Sequence, residues 1–263
     1  MIRLTQIAVA ALVVTFLVGP QLAILPLAFN DSLTLSYPVT EYSLRWFRDM
    51  ADNPVWRQAV VNSIIIGLSS AAVATIVGTA AALGLRDRHG LYYRLLRGLF
   101  VLPMVVPIVL LGVGMQIAFA PFGLTNGYAG VILGHAVISV PFVIASVSSA
   151  LAGINPLLER AAASLGARPV ATFGFVTAPL ALPGILTGFV FAFAISLDEV
   201  ILTLFLAGPN QRTVAREIFS QLRDNLSPTI AAVAFVIIVA TICGGLLAFF
   251  LKGRNARLGL KEE

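Results

Sequence analysis

Charged residues are scarce in this sequence of 263 residues. Asp, Glu, Lys and Arg together make up 11% of it, whereas soluble domains contain about 25%. Hydrophobic residues make up 59%, and the mean hydropathy is +0.96. Because so few charges cannot cover a surface in water, the composition excludes a soluble protein and indicates an integral membrane protein in a lipid bilayer.

Cysteine, lysine and histidine are also rare, and each scarcity argues against a kind of site. The single Cys243 cannot form an internal disulfide. Lys252 and Lys261 both lie in the C-terminal tail and no Gly-x4-Gly-Lys-Ser/Thr motif is present, so we expect no ATP hydrolysis by this chain and no enzyme activity of its own. The two histidines have no Cys or carboxylate at metal-ligand spacing, so we predict no metal site. We expect His89 in an exposed loop and His135 in a hydrogen bond between helices.

Six apolar stretches are long enough to cross a bilayer, since about 20 apolar residues span the hydrocarbon core. The first is longer than the apolar core of a signal peptide and no clear small-x-small cleavage site follows it, so we interpret it as a helix. The predicted spans are 4–29, 59–85, 98–120, 128–150, 183–207 and 228–251.

The basic residues predict the orientation of these spans. With a cytoplasmic N-terminus, eleven of the 17 Lys and Arg residues fall in cytoplasmic segments and six in outer loops. The positive-inside rule therefore places both termini in the cytoplasm. The arginines stand in short runs between apolar segments, which is typical of membrane flanks, so the net charge of +5 does not argue for nucleic acid.

Two connections are too long to be simple turns. Residues 30–58 are polar and aromatic, which suits a short amphipathic helix or a loop on the outer face. In the cytoplasmic segment 151–182, apolar residues recur at helical spacing from Leu157 to Leu165. Asn155 and Pro156 favour a helix start and Gly166 a helix end. The segment therefore predicts a short amphipathic helix, which either binds a partner or lies on the membrane surface.

This loop resembles the EAA loop of ABC importer permeases, whose pattern is Glu-Ala-Ala, three residues, Gly, nine residues and Ile-x-Leu-Pro. Arg160 stands where the pattern has Glu, Ala178 stands where it has Leu, and Glu159 lies one residue early. The resemblance implies a coupling helix that docks on an ATPase, with Arg160 and Arg168 facing acidic groups. The coupling residues that it implies are Glu159, Arg160, Ala161, Ala162, Leu165, Gly166 and Pro179.

The resemblance covers nearly the whole chain and is to the spermidine/putrescine branch, specifically its second permease subunit. It rests on the residues at 29–32, 42–47, 62–63, 102–107, 196–200 and 227–232. It implies one transmembrane permease domain over 1–263, all-α, with six transmembrane helices and the type I importer fold. The implied partners are a homologous second permease, two ATPase subunits that bind ATP and Mg, and an extracytoplasmic solute-binding protein. The implied location is the bacterial inner membrane.

The fifth span contains two adjacent carboxylates, Asp198 and Glu199, which are costly in hydrocarbon and are usually functional. On a continuous helix, Asp198 would share a stripe with Phe191 and Phe205, a surface suited to an organic ammonium group. Ser196, Glu199 and Thr203 would form a second stripe, hydrogen-bonded to a neighbouring helix. The substrate-path residues predicted from this span are Phe191, Asp198, Glu199, Thr203 and Phe205.

Related permeases for sulfate, molybdate and iron often carry Gly-Glu at this position, which matches Glu199 and not Asp198. The resemblance therefore implies that Glu199 is a shared structural or gating residue and that Asp198 follows a cationic substrate such as spermidine or putrescine. An amino-alkyl phosphonate or an opine-like compound is an alternative substrate. A proton-coupled secondary transporter that uses both carboxylates is an alternative mechanism.

Prolines recur in pairs, at 103 and 107 and at 179 and 183. Each removes a backbone donor and kinks or breaks a helix, either as a hinge or as a static bend.

Overall fold

The computed structural model of the chain describes residues 2–224 and 227–243. These residues form helices and contain no β-strand, only an isolated antiparallel bridge between Asn30 and Tyr42. The predicted all-α class is therefore confirmed. The helices are α1 (Ile2–Ile24), α2 (Arg45–Asp52), α3 (Pro54–Leu85), α4 (Leu91–Val105), α5 (Ile108–Phe119), α6 (Tyr128–Ala152), α7 (Pro156–Ser164), α8 (Pro169–Thr172), α9 (Ala178–Asp198), α10 (Ile201–Leu206), α11 (Val214–Asp224) and α12 (Thr229–Cys243).

Four helical segments within the described residues are long and apolar enough to cross a membrane: Thr5–Phe29, Pro54–Leu85, Tyr128–Ala152 and Pro169–Asp198. The first three agree with the predicted spans. The sixth predicted span, 228–251, begins as α12, and its residues 244–251 lie outside the described part of the chain.

The third predicted span, 98–120, is not one straight helix. It divides into α4 and α5, whose directions differ by 109° at a break at Val106 and Pro107. Pro107 has no N–H and disfavours a helical conformation in the residue before it, and Val106 is extended, with ψ of 130°. Pro103, by contrast, lies inside α4.

The fifth predicted span, 183–207, is wrong at both ends. The long segment begins at Pro169, passes through a π-helical turn at Phe173–Thr177, and ends at Asp198. Residues 199–200 are not helical, and α10 is a separate helix of 6 residues.

The described residues within 1–57 and 220–263 form one structural unit. Within its described part, the rings of Phe29, Phe47 and Phe235 pack together, with centroids 5.1–5.5 Å apart. The indole of Trp46 donates to the carbonyl of Asn30 at 2.7 Å, and Thr229 donates to Asp49 at 2.7 Å. These contacts fix the predicted short helix of the 30–58 segment, which is α2, against its own unit.

Residues 58–219 form the second unit, whose core lies between α3, α6 and α9. Small residues allow close helix packing there, as is common in membrane proteins. A Cβ added to Gly184 of α9 would lie 2.4 Å from Cβ of Ala150, and one added to Gly188 would lie 3.2 Å from Cα of Val143. The backbones of α6 and α9 therefore approach closely along most of their length.

Candidate coupling site and substrate path

The predicted helix in the 151–182 segment is confirmed as α7, and local signals determine its ends. The side chain of Asn155 accepts a hydrogen bond from the Leu157 N–H at 3.0 Å, and Pro156 occupies the first turn, where a missing donor costs nothing. Gly166 has φ of +85°, the left-handed conformation that ends helices and favours glycine.

One side of α7 is exposed although it is apolar. Leu157 is 62% exposed and Leu165 is 89% exposed, and Arg160 and Ala161 are exposed beside them. Ala162 is half-buried. The described residues leave this coupling face, defined as Leu157, Arg160, Ala161 and Leu165, open for association.

The opposite side of α7 is attached to the rest of its unit through Glu159. One carboxylate oxygen of Glu159 accepts from Nη1 of Arg86 at 2.8 Å and from the Thr177 hydroxyl at 2.7 Å. Arg86 follows α3, and Thr177 ends the π-helical turn before α9. We call this arrangement the coupling strut (Arg86, Glu159 and Thr177). It connects α7 to the ends of two long helices.

Glu159, one residue out of register with the EAA pattern, thus has a partner within the chain. Its position leaves the exposed Arg160 at the register position of the pattern's Glu. Pro179, the last predicted coupling residue, lies in the first turn of α9 and is exposed.

The predicted stripe of Phe191, Asp198 and Phe205 does not form, because the helix on which it depends ends at Asp198. Phe191 is 53% exposed on α9. Phe205 belongs to α10 and packs against α5, where a Cβ on Gly112 would lie 2.6 Å from the Phe205 ring. Gly112 therefore permits close packing of Phe205 against α5.

Asp198 and Glu199 have different environments. Asp198 is exposed, and no hydrogen bond or ion pair to its carboxylate is seen among the described residues. Glu199 is 8% exposed, and its carboxylate accepts from the Leu202 N–H at 2.8 Å, which caps the start of α10. This geometry supports the framework interpretation of Glu199, whose role in transport stays a prediction.

Thr203 and Ser196 contact a neighbouring helix, but they lie on two separate helices, so the predicted continuous stripe does not form, and Glu199 bonds within its own segment. Nδ1 of His135 lies 2.7 Å from the Ser196 hydroxyl, and Nε2 lies 3.0 Å from the Thr203 hydroxyl. His135 is on α6 and is fully buried, so the predicted hydrogen bond between helices is confirmed.

Asn62 organises the segment after α10 and is not among the predicted site residues. Its amide nitrogen donates to the carbonyls of Asn210 and Arg212 at 2.9 and 2.8 Å, and its oxygen accepts from Gln58 and Tyr128. The next residue, Ser63, accepts from the Val214 N–H at 2.9 Å. The Asn-Ser pair at 62–63, which contributes to the family resemblance, is thus the sequence signal of this contact.

Arg216 holds the other end of α10. Its Nη1 donates to the carbonyls of Thr203 and Ala207, each at 3.2 Å. A cation at the C-terminus of a helix also complements the helix dipole. The short α10 therefore has a carboxylate at its start and a guanidinium at its end.

Residues 74–257 match the model of the family described as binding-protein-dependent transport system inner membrane component. The chain belongs to this family. It is thus an inner membrane component of a transport system, a permease, in agreement with the predicted family.

Curated relatives match over most of this permease. It is 28% identical to the putrescine transport system permease protein PotI of Escherichia coli (strain K12), over 98% of this chain and 94% of PotI. It is 28% identical to the spermidine/putrescine transport system permease protein PotC of Haemophilus influenzae, over 92% of this chain and 94% of PotC. The molybdenum transport system permease protein ModB of Mycobacterium bovis is 31% identical, over 85% of this chain and 91% of ModB.

Solved structures show the fold of this permease. A chain of a bacterial ABC transporter involved in the import of the polysaccharide alginate superposes with a TM-score of 0.66, at 15% identity, over 95% of this chain and 96% of that chain. A chain of an amino acid ABC transporter superposes with a TM-score of 0.54, at 16% identity, over 78% of this chain and 96% of that chain.

Proposed function

We propose that the chain is the membrane-spanning permease subunit of an ATP-driven importer, in which α7 transmits movement from an ATPase to the transmembrane helices. One observation carries this proposal: α7 presents an exposed apolar and basic face, while its other side is tied to α3 and α9 by the coupling strut. Ala161 and Ala162 permit close approach of a docking partner, and burial of Leu157 and Leu165 on docking is favourable.

The proposed assembly contains a homologous second permease, two ATPase subunits and an extracytoplasmic solute-binding protein. ATP and Mg bind to the ATPase subunits and no cofactor binds to this chain. Closure of the ATPase dimer moves α7, and the movement exposes the pathway alternately to the two sides of the membrane. Both termini are cytoplasmic in this scheme, since α7 and most of the arginines then lie on the ATPase side.

The coupling proposal is tested by Gly166→Trp in the assembled complex. The indole adds bulk beside the coupling face and should abolish stable co-purification of the ATPase. Gly90→Trp is a matched control, because Gly90 also has positive φ and no atoms within 4 Å of an added Cβ, but lies outside the coupling loop. Equal ATPase recovery from the two variants contradicts the proposal.

The driving force is tested by uptake into proteoliposomes. Uptake should require ATP on the side of the membrane that corresponds to the cytoplasm. It should persist in the presence of a proton uncoupler. Uptake that depends on a proton gradient and not on ATP would establish the proton-coupled alternative instead.

We propose that the substrate is a small organic cation of the polyamine class, spermidine or putrescine. The PotI and PotC relatives support this class, and so does Asp198, an exposed carboxylate at the end of a transmembrane segment. An amino-alkyl phosphonate or opine-like substrate is the alternative, and the ModB relative shows that the family also carries other cargo. Binding measurements on the cognate solute-binding protein decide between these classes.

The role of Asp198 is tested by labelled polyamine uptake. Asp198→Asn keeps the size of the side chain and removes its charge, and a charge-assisted contact is worth about 1.5–3 kcal/mol, so KM should rise roughly tenfold or more. Asp198→Glu restores the charge and should restore most of the uptake. Unaltered KM in Asp198→Asn would refute a contact between Asp198 and the substrate.

A further inference from the structure

The break between α9 and α10 is bridged by one buried side chain from another helix. His135 lies on α6, and its two ring nitrogens contact hydroxyls on opposite sides of the break. Ser196 precedes the break on α9, and Thr203 follows it on α10. Asp198 and Glu199 therefore lie between the two residues that the imidazole holds.

The hydrogen-bond directions around the ring follow from the number of protons available. The Thr203 hydroxyl donates to the carbonyl of Glu199 at 3.1 Å, so it accepts from Nε2–H of His135. Nδ1 is then the acceptor, and the Ser196 hydroxyl donates to it. This tautomer assignment satisfies both ring nitrogens and both hydroxyls with a neutral imidazole. The exposed Asp198 carboxylate takes no part in the network.

The α10 helix depends on such contacts, because a helix of 6 residues is too short to be stable on its own. Besides His135, α6 contributes its neighbour Gly134, where an added Cβ would lie 2.5 Å from the Leu206 side chain. Ser139, one turn further along α6, donates to the carbonyl of His135 at 2.7 Å. The direction in which α10 leaves the break is therefore determined by a small-residue and polar patch on α6.

We propose that His135 is a positioning residue of the transport pathway: its imidazole clamps Ser196 and Thr203 together across the break and so fixes where the Asp198 carboxylate stands. A regular helix through residues 199–200 would keep Thr203 on the same face as Ser196 but place it two turns, about 10.5 Å, further along the axis. One imidazole that lies 2.7 and 3.0 Å from the two hydroxyls could not reach both at that separation. The clamp therefore selects the broken form over the continuous helix. The effect on transport rests on the proposed function, whereas the clamp itself does not.

The clamp is tested by amide hydrogen exchange of residues 202–204 in the assembled complex, a measurement that needs no substrate. Ser196→Ala removes one of the two contacts and leaves His135 and Thr203 in place, so exchange at these amides should accelerate at least severalfold. His135→Gln, which retains a donor and an acceptor, should keep more protection than His135→Leu. His89→Leu is the control, because His89 is exposed in the loop after α3, and it should leave exchange unchanged. Unchanged exchange in Ser196→Ala and His135→Leu overturns the proposal.

A second experiment separates positioning from the mere satisfaction of buried polar groups. The triple variant His135→Leu, Ser196→Ala and Thr203→Val leaves none of these hydroxyl or ring nitrogen atoms unpaired, so the complex should assemble better than with His135→Leu alone. Its KM for labelled polyamine should nevertheless rise roughly tenfold and its exchange at 202–204 should stay fast. If the triple variant recovers assembly, exchange protection and uptake together, the positioning role is refuted. If the unmodified complex takes up no polyamine, the proposed substrate fails, and the exchange result still decides the clamp.

Discussion

The coupling strut should contribute measurably to the position of α7. Its carboxylate, on Glu159, accepts a charge-assisted hydrogen bond from Arg86, and such a bond is worth about 1.5–3 kcal/mol when it is shielded from water. The two side chains are 17% and 28% exposed, so solvent screening lowers the value, and we expect a coupling free energy of about 1–2 kcal/mol. Because 1.4 kcal/mol is a factor of ten, loss of the pair should raise the population in which α7 is detached roughly tenfold.

The assay is a double-mutant cycle with Glu159→Gln, Arg86→Gln and both together. The readout is hydrogen exchange of the α7 amides in the assembled complex, and ATP consumed per solute transported should rise in parallel. Asp87→Asn provides a matched control, since Asp87 lies 3.6 Å from the same guanidinium but is 86% exposed, and it should show no measurable coupling. Strict additivity of the Glu159 and Arg86 effects would refute the strut.

Three further predictions concern helix packing, helix capping and a loop contact. Gly184→Ala should lower the yield of assembled complex, because it places a methyl group against Ala150 at a cost of about 1–3 kcal/mol. Gly98→Ala is the control, since an added methyl group has free space there and should be neutral or stabilising. Recovery of the complex from membranes measures both effects. Asn155→Ala should destabilise α7 by about 0.5–2 kcal/mol and speed amide hydrogen exchange in its first turn. Asn155→Asp keeps a capping oxygen and should do neither, so equal effects of the two variants would exclude capping. Asn62→Asp removes the two hydrogen bonds that the side-chain amide donates to the carbonyls of Asn210 and Arg212. Proteolysis within 208–213 should therefore accelerate, and an unchanged cleavage rate would contradict this contact.

Local sequence signals were sufficient for α7. Asn155, Pro156 and Gly166 act within the helix or beside it, so their effects can be predicted without knowing the rest of the fold. The break at Pro107 also has a local signal, although proline alone does not predict a bend of 109°. Membrane spans without such interruptions were predicted closely, because length and hydropathy are enough to define them.

The break after Asp198 could not be predicted, because residues 199–200 are Glu and Val and include no glycine or proline. Contacts from distant residues stabilise it, chiefly His135 on α6 and Arg216 on α11. The coupling strut is similarly non-local, since Arg86 is 73 residues from Glu159 and resembles an ordinary membrane-flanking charge in the sequence. Periodicity was therefore reliable within a helix and misleading across this break.

The π-helical turn at Phe173–Thr177 makes the long segment tolerant of a change in length at one place. A π turn contains one more residue than an α turn and is wider, so it takes up the extra residue with little change in the direction of the flanking helices. Deletion of one residue within 173–176 would therefore let the segment continue as a regular α-helix and leave Thr177 facing Glu159. In a regular α-helix the same deletion would rotate one side against the other by about 100° and shift it by about 1.5 Å. The turn thus marks the point where the chain could lose one residue and keep α7 on the same side of α9.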